Sequence, residues 1–166
     1  MEELSPVGWA LRPLKRYADF SRRAPRAEYW WYCVAATILA AATAFLDHLL
    51  GGPIYGDLGP LALVQTVALL IPGAAVTIRR LHDTDRSGWW YVLSLWNYVF
   101  LISGSVSATL KSVVGSMPVG LGFVLVLGFM GAVGLMLVFM ITRGTEGPNR
   151  YGPDPYGPDQ LEEVFA

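Results

Sequence analysis

The sequence predicts an all-α integral membrane protein: a four-helix bundle with both termini in the cytoplasm and a short N-terminal interfacial helix. Two observations lead there. First, the charges leave four long gaps, Tyr29–Leu46, Leu58–Ile78, Ser87–Leu110 and Ser112–Thr142. A charge at the bilayer centre costs roughly 2.5–3.5 kcal/mol even on the translocon-insertion scale, so such gaps read as lipid-crossing segments. Second, the cations fall on alternate sides of those gaps. Arg12, Lys15, Arg16, Arg22, Arg23 and Arg26 precede the first, Arg79, Arg80 and Arg86 separate the second from the third, and Arg143 and Arg150 follow the last. Lys111 alone lies on the opposite side. By the positive-inside rule that bias orients the whole chain.

Composition agrees. Of the 166 residues 54% are apolar and 15% charged, and four spans of about 20 residues use about half the chain. What is left over suffices for loops and tails, not for a separate soluble catalytic domain. One membrane domain is therefore expected over 1–166. A basic cytoplasmic segment (1–28) comes first, then spans at about 29–47, 60–78, 89–110 and 118–142, then a cytoplasmic tail (143–166). Met1–Glu28 carries no apolar run of the kind a cleavable signal peptide needs, so the first span is the expected insertion signal.

Leu11, Leu14 and Ala18 recur at helical spacing among Arg12, Lys15, Arg16 and Asp19, the pattern of a helix lying in the interface with Trp9 and Tyr17 at headgroup level. Pro13 weakens that helix unless it sits in the first turn. Span one opens on Tyr29-Trp30-Trp31-Tyr32, an aromatic belt, and Ala36, Ala40 and Ala44 form a small-residue stripe suited to close helix approach. It ends near Asp47 and His48, before a Gly-Gly-Pro turn. Span two holds Gln65 and a Pro72-Gly73 kink; span three starts at Trp89-Trp90 and holds Asn97. The 31 uncharged residues Ser112–Thr142 would reach about 46 Å as one helix, more than one crossing requires. Ser112–Met117 is accordingly read as an outer turn, with span four from about Pro118 and Gly128, Gly131, Ala132 and Gly134 as a second packing face. Cys33, the lone cysteine, has no partner for a disulfide or a thiolate metal site.

Three strings on the cytoplasmic side go beyond generic membrane physics: FSRRAPRAEYWW (Phe20–Trp31), RRLHDTDRSGWW (Arg79–Trp90) and GTEGPNRYGPDP (Gly144–Pro155). With the upstream Leu14-Lys15 and Tyr17, their order and spacing resemble the YhaH-like family of bacterial inner-membrane proteins, also called the domain of unknown function 805 family. The resemblance covers nearly the whole chain. It implies a small four-helix protein of the bacterial cytoplasmic membrane and no established activity, substrate or cofactor. This chain departs from the usual pattern with Arg22-Arg23 in place of Gly-Arg, with Pro25 and Ala27, and with a longer Ser103–Met117 stretch.

The topology brings all three strings to one membrane face, and their polar residues form a candidate anion site: Arg23, Arg26, Glu28, Arg79, Arg80, His82, Asp83, Asp85, Arg86, Asn149, Arg150 and Asp154. Guanidinium groups present planar, bidentate donors to phosphate or carboxylate. Membrane lipids with anionic headgroups are the nearest partners, each basic residue adding about 1 kcal/mol near the surface. The competing account is that these charges pair with one another to fix topology: on a continuing helix Arg79 and Asp83, and His82 and Arg86, lie at i,i+4. His82 beside Asp83 also admits an acid–base role with Ser87 or Thr84 nearby, although no oxyanion motif, phosphate loop or triad spacing accompanies it. Only His48 and His82 exist, on opposite faces, so neither a metal nor another cofactor is expected. Gln65 and Asn97 are read as interhelical hydrogen-bonding residues rather than a path for ions.

Three functions remain in view. The preferred one is a non-enzymatic membrane protein whose cytoplasmic cap binds an anionic lipid headgroup or a protein partner, with self-association also admitted and no nucleic-acid partner expected. The alternatives are a membrane-embedded enzyme acting on a phosphorylated lipid and a small transport or channel subunit. The C-terminal turn is expected to dock on the other two strings, with Arg150 and Asp154 pairing near Arg80 and Asp83.

Overall fold

A computed structural model describes residues 5–52, 59–94, 112 and 118–156, apart from the side chains at 119, 122, 125 and 126. Among them the chain is helical: α1 (Pro6–Lys15), α2 (Arg26–Leu49), α3 (Pro60–Asp83), a 3₁₀ turn (Gly88–Tyr91) leading back to helix at 92–94, and α4 (Val119–Ile141). The only β pairing among these residues is an isolated bridge between Asn149 and Gly152. Most of the predicted third span, Asn97 included, lies outside the described residues.

α1 starts where Ser5 accepts the Gly8 N–H at 3.2 Å and Pro6 supplies a preset φ. Pro13 falls inside the helix rather than in its first turn, yet α1 runs on to Lys15. Ala10 and Pro13 are buried, while Val7, Leu11 and Leu14 form an exposed apolar stripe. That stripe has the geometry of a helix resting its apolar face in lipid.

α2 and α3 are long and apolar enough to cross a membrane, and only 11% and 17% of their most apolar windows are buried. Core helices of a soluble protein would be covered; these present Val34, Ile38, Phe45, Val64 and Val67 outward, as lipid-facing helices do. At one end Asp47 joins the pair. Its carboxylate accepts the Leu61 N–H at 3.0 Å and the Ala62 N–H at 2.9 Å, satisfying donors that open the first turn of α3. Gly59 passes so close to Asp47 that a Cβ there would overlap its carboxylate.

Midway, Gln65 reaches α2. In the amide orientation that satisfies both ends it donates to Thr43 Oγ1 at 2.6 Å and to the Leu39 carbonyl at 3.2 Å. The seam on α2 thus runs through Glu28, Tyr32, Ala36, Thr43 and Asp47. Of the alanine stripe, Ala36 is half-buried and Ala40 and Ala44 are exposed. A strict four-residue repeat drifts about 40° per step on a helix of 3.6 residues per turn, so it leaves the contact after one member.

Pro72 has no N–H for the Ala68 carbonyl one turn back. That carbonyl accepts instead from the Tyr17 hydroxyl at 2.7 Å, and Tyr32 donates to the next carbonyl, Leu69, at 3.2 Å. The proline therefore creates an acceptor that fastens the segment after α1 to the middle of α3.

α4 joins the rest through its last turns, where Met136, Phe139 and Met140 pack with Leu81, flanked by Tyr29, Tyr91 and Leu93. On the expected glycine face of α4, a Cβ added at Gly128, Gly131 or Gly134 would meet nothing among the described residues, which leave out most of the third span.

Candidate functional site

Both long helices continue past their apolar stretches at the charged end. α2 begins at Arg26 rather than Tyr29 and α3 ends at Asp83 rather than Ile78. These extra turns carry Glu28 and Arg79–Asp83, and two buried ionic knots form between them. In the first, Arg79 meets Glu28 at 2.8 Å with both side chains fully buried, and Arg12 of α1 approaches the same carboxylate at 3.6 Å. The backbone reinforces it, with Ala24 N–H donating to the Arg79 carbonyl at 3.0 Å.

In the second knot Asp83 lies between two arginines. Arg23 donates through Nε to Asp83 Oδ1 at 3.0 Å, and Arg80 pairs with Oδ2. The remaining guanidinium donors reach main-chain carbonyls: Arg23 those of Gly147 (2.6 Å) and Thr145 (2.5 Å), Arg80 those of Met140 (3.3 Å) and Thr142. Arg26 adds a 3.3 Å bond to Thr142. At the C-terminus of α4 the Thr142 hydroxyl donates to the Val138 carbonyl at 2.6 Å, and arginines from other segments meet further carbonyls at and just beyond that end. Five donors in a fixed planar fork suit arginine to this work.

The C-terminal turn docks on the end of α3. Thr145 N–H donates to the Asp83 carbonyl at 2.9 Å, and the Asn149 amide to the His82 carbonyl at 2.9 Å. The His82 and Tyr151 rings stack with centroids 3.9 Å apart and planes 4° from parallel. Gly144 crosses Asp83 so tightly that an added Cβ would sit 2.7 Å from its Cγ. α3 itself ends in a Schellman motif, with Arg86 N–H donating to Leu81 and Asp85 N–H to His82, and Asp85 adopts φ of 55°. Beyond it Arg86 lies 4.1 Å over the Phe139 ring, which also meets Trp90 edge-on.

Several sequence-based expectations change in detail. Arg79 does not pair with Asp83, because the incoming loop supplies Arg23 and Arg80 reaches Asp83 at i,i+3. Arg86 packs on Phe139 instead of pairing with His82. The His82 and Asp83 side chains point apart, as consecutive helical residues do: both Asp83 oxygens hold arginines, and the His82 ring lies on Tyr151, in keeping with the structural reading of that histidine. Arg150 docks through Asp85, at 3.1 Å to its carboxylate and 2.6 Å to its carbonyl, rather than near Arg80. Asp154 stays within the turn, accepting the Gly147 N–H at 2.9 Å and the Tyr156 N–H at 3.0 Å. Among the described residues no group of three His, Cys, Asp or Glu is arranged to hold a metal.

Two open cavities flank the knots. One, of about 390 Å³, is lined by Arg23, Arg26 and Arg143 but also by Asp83, Glu146 and Asp154, so its charges offset. At its edge, burial first and then the nearby Asp83 carboxylate push the Tyr156 phenol up. The other, of about 290 Å³, is lined by Arg12, Arg16, Arg22 and Arg23 with Tyr151, Gly152, Pro153 and Pro155. Three of those arginines are absent from the candidate set above. Arg12 on α1 and Arg16 at its C-cap stand four residues apart, a spacing visible in the sequence. Nearby in sequence, burial pushes the Asp19 carboxyl up, but the Ser21 hydroxyl (2.7 Å) and N–H (3.0 Å), with the charges of Arg79 and Arg22, outweigh that and hold it below the usual range.

Apolar helices of span length, bare to their surroundings and knotted together at one charged end, define an α-helical membrane protein. The family model described as "Protein of unknown function (DUF805)" matches residues 17–153, and the chain belongs to that family. It is 33% identical over 146 residues to the inner membrane protein YhaH of Escherichia coli K12, covering 88% of this chain and 94% of that protein. It is 35% identical over 144 residues to the inner membrane protein YhaI of the same organism, covering 87% and 92%. No solved structure matches significantly. The chain is accordingly an inner-membrane protein.

Proposed function

We propose that the protein is a non-enzymatic four-span bundle carrying on its cytoplasmic face a rigid cap that binds an anionic partner, a lipid headgroup or an acidic protein surface. The observation that carries this reading is the pair of buried knots. Arg79–Glu28 and Arg23–Asp83–Arg80 gather three blocks far apart in sequence at one end of the helices. The cytoplasmic orientation is supported by the position of eleven of the twelve Lys and Arg residues. The fourth span is supported by α4, 23 residues without a charge.

The candidate residues then divide by burial. Arg23, Glu28, Arg79, Arg80, His82 and Asp83 are buried and, with the half-buried Asn149 and Asp154, keep the cap's shape. Arg26, Arg86 and Arg150, together with Asp85 and the neighbouring Arg143, remain at the rim where a partner arrives. Each rim cation adds about 1 kcal/mol of attraction to an anionic leaflet.

Gentle extraction followed by native mass spectrometry tests this. The protein should retain anionic lipid above its share of the starting membrane, or a stoichiometric acidic protein. Either should be lost from the R26Q/R143Q variant. Retained lipid of bulk composition with no bound protein overturns the reading.

A further inference from the structure

We propose that the C-terminal turn is held to the end of α3 by a proton-sensitive latch, in which the neutral imidazole of His82 clasps Tyr151 and an added proton lets residues 149–152 lift away. This concerns how the cap opens rather than what it binds. His82 lies in the last turn of α3 and is 8% exposed. Its ring is stacked flat on Tyr151 at 3.9 Å, and the Asn149 amide donates to its carbonyl at 2.9 Å. The inner half of the turn has separate anchors: Arg23 on the Thr145 and Gly147 carbonyls, and the Thr145 N–H on the Asp83 carbonyl. Among the described residues the outer half is tied down by His82 and by the exposed Arg150–Asp85 pair, a kind of contact that contributes little by itself.

The two ring nitrogens explain why a proton matters. One is hydrogen-bonded to the Arg22 backbone, whereas Nδ1 is buried and meets no partner among the described residues. A neutral ring suits this arrangement, with its single N–H on Nε2 donating to the Arg22 backbone and Nδ1 bare. A second proton has to sit on Nδ1, where it finds no acceptor. Burying an unpaired charged donor is costly, and the ring regains water only if Tyr151 moves off its face.

The groups around the ring oppose the charge as well. The C-terminal turn brings Arg150, whose guanidinium lies 4.9 Å over the Tyr151 ring, so an imidazolium would share that ring with a second cation. The segment before α2 presents Arg22 through its backbone, and the 3₁₀ turn presents Gly88, which carries no charge. On the ring's own segment Asp83 is turned into the second knot, Asp85 is paired with Arg150, and Arg86 lies over Phe139. Burial lowers the ring's hold on a proton, the bond to the Arg22 backbone raises it by less, and Arg150 lowers it again, so the net shift is downward. The released turn leaves the imidazole in water with its usual value of about 6.5. The docked state therefore binds fewer protons than the released one. Docking is at full strength above that value and weakens as the pH falls through it.

Hydrogen exchange of the full-length protein in phosphatidylcholine nanodiscs tests the latch, compared at about pH 7.5 and about pH 5.5. Protection factors are the readout, because the pH dependence of intrinsic exchange cancels in them. Amides of residues 149–152 should lose protection severalfold on acidification, with about tenfold as the ceiling for one group released near its usual value. Amides of α3 before Pro72 should keep theirs. A change of less than about twofold at 149–152, or an equal loss along α3, overturns the proposal.

H82Q keeps a donor for the Arg22 backbone but cannot gain a proton, so its protection at the two pH values should agree, whatever its absolute level. It also keeps the carboxylates of Asp83, Asp85, Glu146 and Asp154, so an acid-induced loss that persists in H82Q belongs to one of them and sinks the latch. A second measurement needs no variant at position 82. Carbon-13-labelled histidine gives two ring signals, and H48Q identifies that of His82. This ring should titrate below about 6.5; titration at or above that value overturns the proposal. Neither measurement calls for an anionic lipid or a bound protein, so the outcome is independent of what the rim attracts.

Discussion

Replacing Asp83 by Asn removes one negative charge and leaves two buried guanidinium groups facing each other. Asp83 is 3% exposed and Arg23 and Arg80 are 5% and 0% exposed, so solvent cannot take up the loss. The Asn oxygen can still accept from one arginine, while its NH₂ group must point a donor at the other. Removing one partner of a buried ion pair costs about 3–5 kcal/mol. For a chain of this size each kcal/mol shifts the melting temperature by about 2–4 °C, so a fall of roughly 6–20 °C is expected. Thermal unfolding in detergent micelles, followed by intrinsic fluorescence, measures it. Limited trypsin digestion should show earlier cutting at Arg143 and Arg150, since Arg23 and Arg80 clamp the carbonyls between α4 and the tail. A double-mutant cycle with R80Q should return a coupling of about 0.5–3 kcal/mol, as for residues in one network. A melting temperature within about 2 °C of wild type, with an unchanged digest, would refute the account of the knot.

Two further substitutions probe the same architecture. In G144A the new methyl meets the Asp83 carboxylate, which two arginines hold in place, so overpacking should cost about 1–3 kcal/mol and expose the C-terminal turn to protease before the helices melt. Y17F leaves the Ala68 carbonyl without its donor and should cost about 1 kcal/mol; in a P72A background, where the helix recovers its own N–H, the same change should cost measurably less by thermal unfolding.

Which residues could be read in advance follows from how far each effect reaches. The rim and the knots were both drawn from the three charged strings, because a carboxylate or histidine beside a span is not required for topology. Their partners were not readable. Arg79 and Asp83 stand one turn apart and invite pairing, yet each is claimed by a group more than fifty residues away, Glu28 for one and Arg23 for the other. A similar competition decided Arg86, where the Phe139 ring of a distant helix outbid the local histidine. The alanine stripe misled for a geometric reason: small residues permit close approach but do not say which face a neighbour will take.

By itself the sequence determined the lipid-crossing helices, their charged end and the family, since burying a charge in hydrocarbon is so costly that its avoidance is written along the chain. Only the tertiary structure decided which arginine holds which carboxylate, that Tyr17 answers the carbonyl freed by Pro72, and that Arg12, Arg16 and Arg22 line one cavity with the C-terminal turn. Hydropathy acts residue by residue and is summed locally. Ion pairing in a packed cap depends on distances of a few ångströms between segments that no local pattern relates.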